Sequence, residues 1–331
     1  MPRFAHRWVA LALLLLISLV PVGLARGATG PATSPPLVTT THFRFHAVDG
    51  TENGTRRLAA SAEARYRVLC AMLDACDLDP LLLGPDRPVE AWLADDAQAF
   101  AAVFPDGSPM GEWAIGVAFP PQRRMVLRAH GTALFSLAET FDHELSHILL
   151  HAAVGARPVP RWFTEGVAIW QAGEAVLDRL TAARRAALTR NLIPLHELTD
   201  GFPAQGAALE LAYAQSALFV HWLEREYGVA ALPRLVRSMR DGADFDTAFR
   251  AAFGAPVETL EELWREGLEA SSPALTLIAD PEFLWGLTSL LFLWAAGARM
   301  WRRRREMAEM SDGETPSMPP WAEPDETPTY H

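Results

Sequence analysis

The sequence predicts an α+β protein: a small mixed sheet, then a mostly helical lobe, then a C-terminal transmembrane helix. Three observations predict it. Short β-type runs at Val89–Leu93, Trp113–Phe119 and Arg124–Leu127 cluster in the first half of the chain. From Thr132 onward, apolar residues recur at helical spacing through several segments. Near the end, Phe283 to Ala298 runs sixteen residues without a charge.

The elements follow in order. Leu58 to Leu73 is Ala-rich with apolar positions at helical spacing and reads as a helix at the front of the domain. Val89–Leu93 is the first strand, and Asp95 to Phe104 reads as a helix closed by the Pro105–Pro109 turn. Trp113–Phe119 and Arg124–Leu127 read as antiparallel strands joined through Pro120-Pro121-Gln122-Arg123. Thr132 to Ala153 is a helix with a broad apolar surface, stopped by Gly155 and the Pro158/Pro160 pair. A further helix starts near Arg161, Glu174 to Thr189 reads as a polar helix, and Leu195–Leu198 reads as a turn. Leu209–Tyr227, closed by Gly228, then Leu232–Met239, Phe245–Phe253 and Leu260–Leu268 form the helical tail.

The chain has 331 residues, 50% of them apolar, so a packed core is within reach. Its formal net charge of -11, with no long basic tract outside the C-terminal end, excludes nucleic acid as a partner. At the N-terminus, Arg3, His6 and Arg7 precede an apolar run from Trp8 to Val22, with small residues at Ala25, Gly27 and Ala28. That pattern predicts a signal peptide over residues 1–28, and the short apolar run favours cleavage over retention as an anchor. Thr29 to Thr40 is rich in Pro, Thr and Ser, and residues 29–55 read as a linker. The exported domain spans 56–273 and a transmembrane helix 282–301. Arg299 and Arg302–Arg305 follow the apolar run and predict a cytoplasmic tail over 302–331, basic and then acidic and Pro-rich. The expected location is the cell membrane, with one C-terminal span, lipid as its partner and the domain outside the cytoplasm.

Two cysteines occur, Cys70 and Cys76. Six residues along an unbroken helix set α-carbons about 9 Å apart, beyond disulfide reach. A bond therefore requires the helix to end near Leu73 or Asp74, and the sequence leaves the pairing open.

Within the Thr132–Ala153 helix stands His143-Glu144-Leu145-Ser146-His147. Imidazoles at i and i+4 face one ion, and the carboxylate after the first reaches the water beside it. Buried polar groups need partners, and a zinc ion supplies one for each histidine. A third ligand is still required. A metzincin pattern would place Gly and His at positions that here hold Leu150 and Ala153, so that pattern fails. His151 is too distant for the same ion and reads as a structural or supporting histidine. Glu165, followed by Gly166, is the leading candidate for third ligand. The glycine is expected to let its helix approach the histidine helix.

The chain resembles the gluzincin zinc metallopeptidases, specifically the peptidase MA-like family. The resemblance rests on His143-Glu144-x-x-His147 with Pro160-Arg161-Trp162-Phe163-Thr164-Glu165-Gly166-Val167-Ala168, seventeen residues separating His147 from Glu165. It continues through Tyr213 to Val220, Tyr227-Gly228, Phe253-Gly254 and Leu260–Trp264, covering roughly Pro88 to Leu268. It implies a zincin-like fold, Zn2+ held by His143, His147 and Glu165, and peptide or protein substrates. Glu144 is then the general base toward the water at the zinc, and later donates to the departing amine. Tyr213 is the first candidate to stabilise the oxyanion, with Ser216 as a helix contact. The Trp113–Phe119 strand is a candidate substrate edge, pairing with a peptide through Ala114, Gly116 or Ala118. Some gluzincins carry an acid one turn after the third ligand; here that position is Ile169, so support for the zinc histidines must come from elsewhere, with Glu139 and Asp142 as candidates. The alternative function is a catalytically weak domain binding a peptide or envelope protein on a peptidase scaffold.

Overall fold

A computed structural model of the chain describes residues 35–48, 50–76, 83–96, 99–100, 103, 115–129, 136–173, 186, 191–270 and 281–312. They belong to two compact units, Met1–Ser271 and Ser272–His331. The signal peptide expected over 1–28, half of the helix expected over 95–104, all but one residue of the helix expected over 174–189, and the tail beyond 312 lie outside the described residues.

In the first unit, strands β1 (Val38–Thr39), β2 (Phe43–Ala47), β3 (Val89–Ala94), β4 (Gly116–Phe119) and β5 (Arg124–Arg128) form one sheet in the order β1-β2-β3-β5-β4. β4 and β5 pair antiparallel as expected, through a 3-10 turn at Pro120–Gln122. β2, β3 and β5 run parallel to one another, so the sheet is mixed, as expected. The physical reason is the connection: helix α1 (Glu52–Met72) carries the chain back between β2 and β3, as a parallel crossover requires.

β1, β2 and the start of α1 also correct the linker expected over 29–55. Phe43 and Phe45 of β2 are fully buried, with Arg44 exposed between them. That alternation covers one five-residue strand, too short to stand out beside the Pro/Thr/Ser stretch preceding it.

The helical lobe comprises α2 (Leu137–Val154), α3 (Arg161–Ala172), α4 (Ala207–Tyr227), α5 (Ala231–Arg240), α6 (Phe245–Phe253) and α7 (Val257–Ala270). α2 begins at Ser136, whose hydroxyl accepts from the Glu139 amide while the Glu139 carboxylate accepts from the Ser136 amide, a reciprocal cap. Trp162 and Phe163 of α3 pack on Phe219 of α4 and Phe245 of α6, at ring separations of 5.4 and 5.1 Å. This aromatic cluster fixes α3 from below.

Gly166 permits a close helix approach, but to α4 and not to the histidine helix as expected. A β-carbon at Gly166 would stand 2.5 Å from the Ser216 carbonyl oxygen and 2.6 Å from Val220 Cγ2. α1 ends at Met72, Leu73 and Asp74 turn the chain, and Cys70 and Cys76 are joined in a disulfide with α-carbons 4.8 Å apart. Asp74, at φ +52°, also pairs with Arg237 of α5.

The second unit contains α8 (Pro281–Asp312). Among the described residues, no helix is long and apolar enough to cross a membrane. This overturns the span expected over 282–301, and with it the lipid partner, the membrane tether and the extracytoplasmic placement drawn from it. α8 has 32 residues, but its charge-free run covers only Phe283 to Ala298. Sixteen residues rise about 24 Å, short of the ~30 Å hydrocarbon core. Gly286, Thr288, Ser289 and Gly297 dilute that run further. Both hydroxyls turn back onto the Trp285 carbonyl.

Candidate metal centre

One turn of α2 separates His143 from His147, so both imidazoles leave the same helix face, with ring centroids 5.0 Å apart. α3 brings Glu165 against them. Its Oε2 lies 3.6 Å from His143 Nε2 and 3.6 Å from His147 Nε2. One donor atom from each residue falls within 4.8 Å of the other two, and all three residues are buried. A spacing of 3.6 Å is too long for a hydrogen bond. It is close to the ~3.3 Å between two donors at bonding distance from one tetrahedral ion. Among the described residues, no hydrogen bond reaches His147 Nε2 or either carboxylate oxygen of Glu165. Buried polar atoms left in this way are costly unless a further group satisfies them. The cluster is thus capable of coordinating a metal ion.

Its electrostatics suit that role. Burial foremost pushes His147 down to about 4, against the attraction of Glu165, so the ring is neutral at pH 7, as a ligand must be. Burial alone would raise Glu165, but His143, His147 and Arg161 around it bring its carboxyl below the usual range. A carboxylate and two imidazoles make a borderline-hard N/N/O donor set.

Glu144 is fully buried on the same helix. Above it runs β4, the end strand of the described sheet, and Gly116 of that strand lies directly on the Glu144 side chain. Ala118 shares the strand and pairs in register with Met125. Ala114 lies outside the described residues.

Tyr213 of α4 is also brought to the centre. Burial foremost, with the charges of Glu165 and Glu144, holds its hydroxyl well above its usual pKa despite a hydrogen bond from Arg161. The phenol therefore stays protonated and able to donate.

A model of the Peptidase MA superfamily matches residues 83–270, more than half of the chain. The chain belongs to the Peptidase MA superfamily. A comparison with curated proteins returned no match. The superfamily match spans β3 to α7 and thus both helices that carry the His143/His147/Glu165 cluster. β1, β2 and α1 precede it.

Glu139 and Asp142, the residues expected to support the histidines, each take part in another contact. Glu139 is engaged in the cap at Ser136, and Asp142 pairs with Arg65 of α1. Burial pushes Asp142 up to about 6 against the pull of that arginine. Ile169 is buried in a small apolar cluster with Val117, Val126 and Tyr213. Sequence reading passed over Gln171. It accepts from Ser146, between the two histidines, and donates to the Leu69 carbonyl, tying α1, α2 and α3 together. No local pattern could have signalled a bond across 102 residues. It also passed over Arg161, whose i,i+4 spacing to Glu165 on one helix was a readable signal.

Proposed function

We propose that this chain is a zinc-dependent peptidase of gluzincin type. The observation that carries the proposal is the buried His143/His147/Glu165 cluster with Glu144 on the same helix, beneath the end strand of the sheet. Zinc held by the three residues would supply Lewis-acid polarisation of a carbonyl and a lowered pKa for water.

The remaining steps fall to the protein. A peptide lies extended along β4, pairing with the backbone of Gly116 and Ala118. β4's place at the end of the described sheet supports this edge role. Glu144 takes a proton from the attacking water and passes it to the departing amine. Tyr213 donates its hydroxyl hydrogen to the oxyanion that develops on the scissile carbonyl. A buried carboxyl at this position is what a general base requires, whereas a domain that merely bound peptides has no need of it. The catalytic domain covers residues 56–273, with β1 and β2 extending its sheet.

The test is metal analysis and peptide-library cleavage by the full chain, beside Glu144→Gln. We expect one zinc in both proteins and a loss of cleavage of about 10²–10⁴-fold in the variant. Cleavage persisting in Glu144→Gln with zinc bound removes Glu144 as the base, and a zinc-loaded wild type that cleaves nothing removes the peptidase reading.

A further inference from the structure

Arg161 opens α3, one turn before Glu165. A cation at a helix N-terminus opposes the helix dipole, so the helix itself gains nothing from it. Yet Arg161 is buried, and its backbone is held at both ends. Its amide donates to the Thr199 carbonyl at 2.8 Å, and its carbonyl accepts from Thr164 Oγ1 at 2.9 Å. A buried guanidinium needs a dedicated environment, and the structure provides one on three sides. Its Nε lies 3.5 Å from Glu165 Oε1. It donates a hydrogen bond to the Tyr213 hydroxyl oxygen. Its carbon centre stands 4.9 Å from the Phe202 ring centroid, and Phe202 meets Tyr213 edge-on at 4.9 Å.

The two oxygens of Glu165 are thereby divided. Oε1 faces Arg161, whereas Oε2 is the atom equidistant from the two histidine nitrogens. The same guanidinium that holds the ligand also holds the tyrosine. Resting on the peptidase reading above, we propose that Arg161 is the positioning residue of this site: it restricts Glu165 to one metal-facing oxygen and aims the Tyr213 hydroxyl at the reacting carbonyl. It does so from one turn before Glu165, where the expected acidic support one turn after it is replaced by Ile169.

The experiment compares the full chain with Arg161→Gln, Arg161→Lys, Tyr213→Phe and the double variant Arg161→Gln/Tyr213→Phe, after circular dichroism shows each to be folded. Zinc affinity is read by competition with a chromogenic chelator. Coordination is read from the visible absorption of the Co2+-substituted protein, and kcat and KM are measured at saturating zinc. In Arg161→Gln we expect zinc affinity to fall about 10–100-fold. The cobalt bands should weaken as Glu165 turns its second oxygen to the metal. kcat should fall with little change in KM, and the double variant should be no slower than the slower single variant, because both changes disable one unit. Arg161→Lys should restore zinc affinity but not kcat, since an ammonium supplies the charge without the planar fork that lies on Phe202.

Unchanged zinc affinity and cobalt absorption in Arg161→Gln overturn the hold on Glu165, and independent, multiplying effects on kcat overturn the hold on Tyr213. If Arg161→Gln does not fold, Arg161→Met, which keeps the side-chain length without the charge, is read in its place by the same cobalt spectrum, chelator competition and kcat. A wild type that binds zinc and cleaves nothing defeats the peptidase reading, and chelator competition and the cobalt spectrum then still decide whether Arg161 positions Glu165.

Discussion

Gly116 of β4 lies against Glu144 of α2 so closely that a β-carbon on the glycine would stand 2.8 Å from Glu144 Oε1 and 2.6 Å from Thr140 Cγ2. The strand backbone thus serves as the roof over the proposed base. Gly116→Ala should push the carboxylate off its position. We expect a stability loss of about 1–3 kcal/mol. kcat should fall by up to about 10²-fold, with zinc stoichiometry unchanged. Thermal melts, metal analysis and peptide kinetics on one preparation check all three.

Gly166→Ala should damage the metal centre from the opposite side. Its new methyl meets the Ser216 backbone oxygen at 2.5 Å, and α3 must move away from α4 to accept it. The expected cost is about 3 kcal/mol, with weaker zinc binding because Glu165 moves with α3. Gly267→Ala is the control: its methyl meets nothing within 4 Å in α7, so it should stabilise by about 0.5–1 kcal/mol. Urea melts of the two variants should shift in opposite directions.

Zinc should stabilise the folded chain by mass action. At a free zinc concentration of 100 Kd the gain is about 2.7 kcal/mol. Zinc added to metal-stripped protein should raise the melting temperature of the wild type. His147→Ala should lose most of that shift while keeping the helical circular dichroism.

Acid should weaken the sheet end of the domain through two carboxylates. Burial works to raise Glu63, but its hydrogen bonds to His42 help bring it below 4.5; His46 and Arg44 do the same for Glu90. A depressed folded pKa contributes stability that is present above the unfolded value and is lost as pH falls through the folded one. Stability should therefore drop as pH falls below 4.5. Glu63→Gln and Glu90→Gln should each flatten that acid limb in urea titrations at stepped pH.

Cys76→Ser should be milder. The Cys70–Cys76 bridge closes a short loop, for which the chain-entropy estimate is about 2 kcal/mol. Asp74–Arg237 and Gln171–Leu69 still hold the end of α1 in place. Denaturant melts should register the loss, and chelator competition should show zinc affinity unchanged.

Much of the helical lobe was legible in the sequence because apolar periodicity is local. Leu209–Tyr227 and Phe245–Phe253 appear within two residues of their expected bounds. β1 and β2 were not legible, because a two-residue strand and a five-residue strand carry too little pattern beside a Pro-rich stretch. Nor was the parallel register of β2, β3 and β5, which follows from where the chain crosses over. The apolar run of Phe283–Ala298 was legible, but its reading as a span did not survive, since its length and its polar interruptions fall short of a bilayer.

The sequence by itself determined the part of the candidate metal cluster that lies on one helix. A spacing of four residues puts His143 and His147 on one face whatever surrounds them, and it leaves Glu144 beside them. Only the tertiary structure decided that Glu165 meets them, that Gly116 covers Glu144, that Gly166 seats α3 on α4, and that Arg161 joins Glu165 to Tyr213. Helical periodicity is a property of neighbouring residues. Contacts between elements depend on how backbones approach, and two glycines set those distances here.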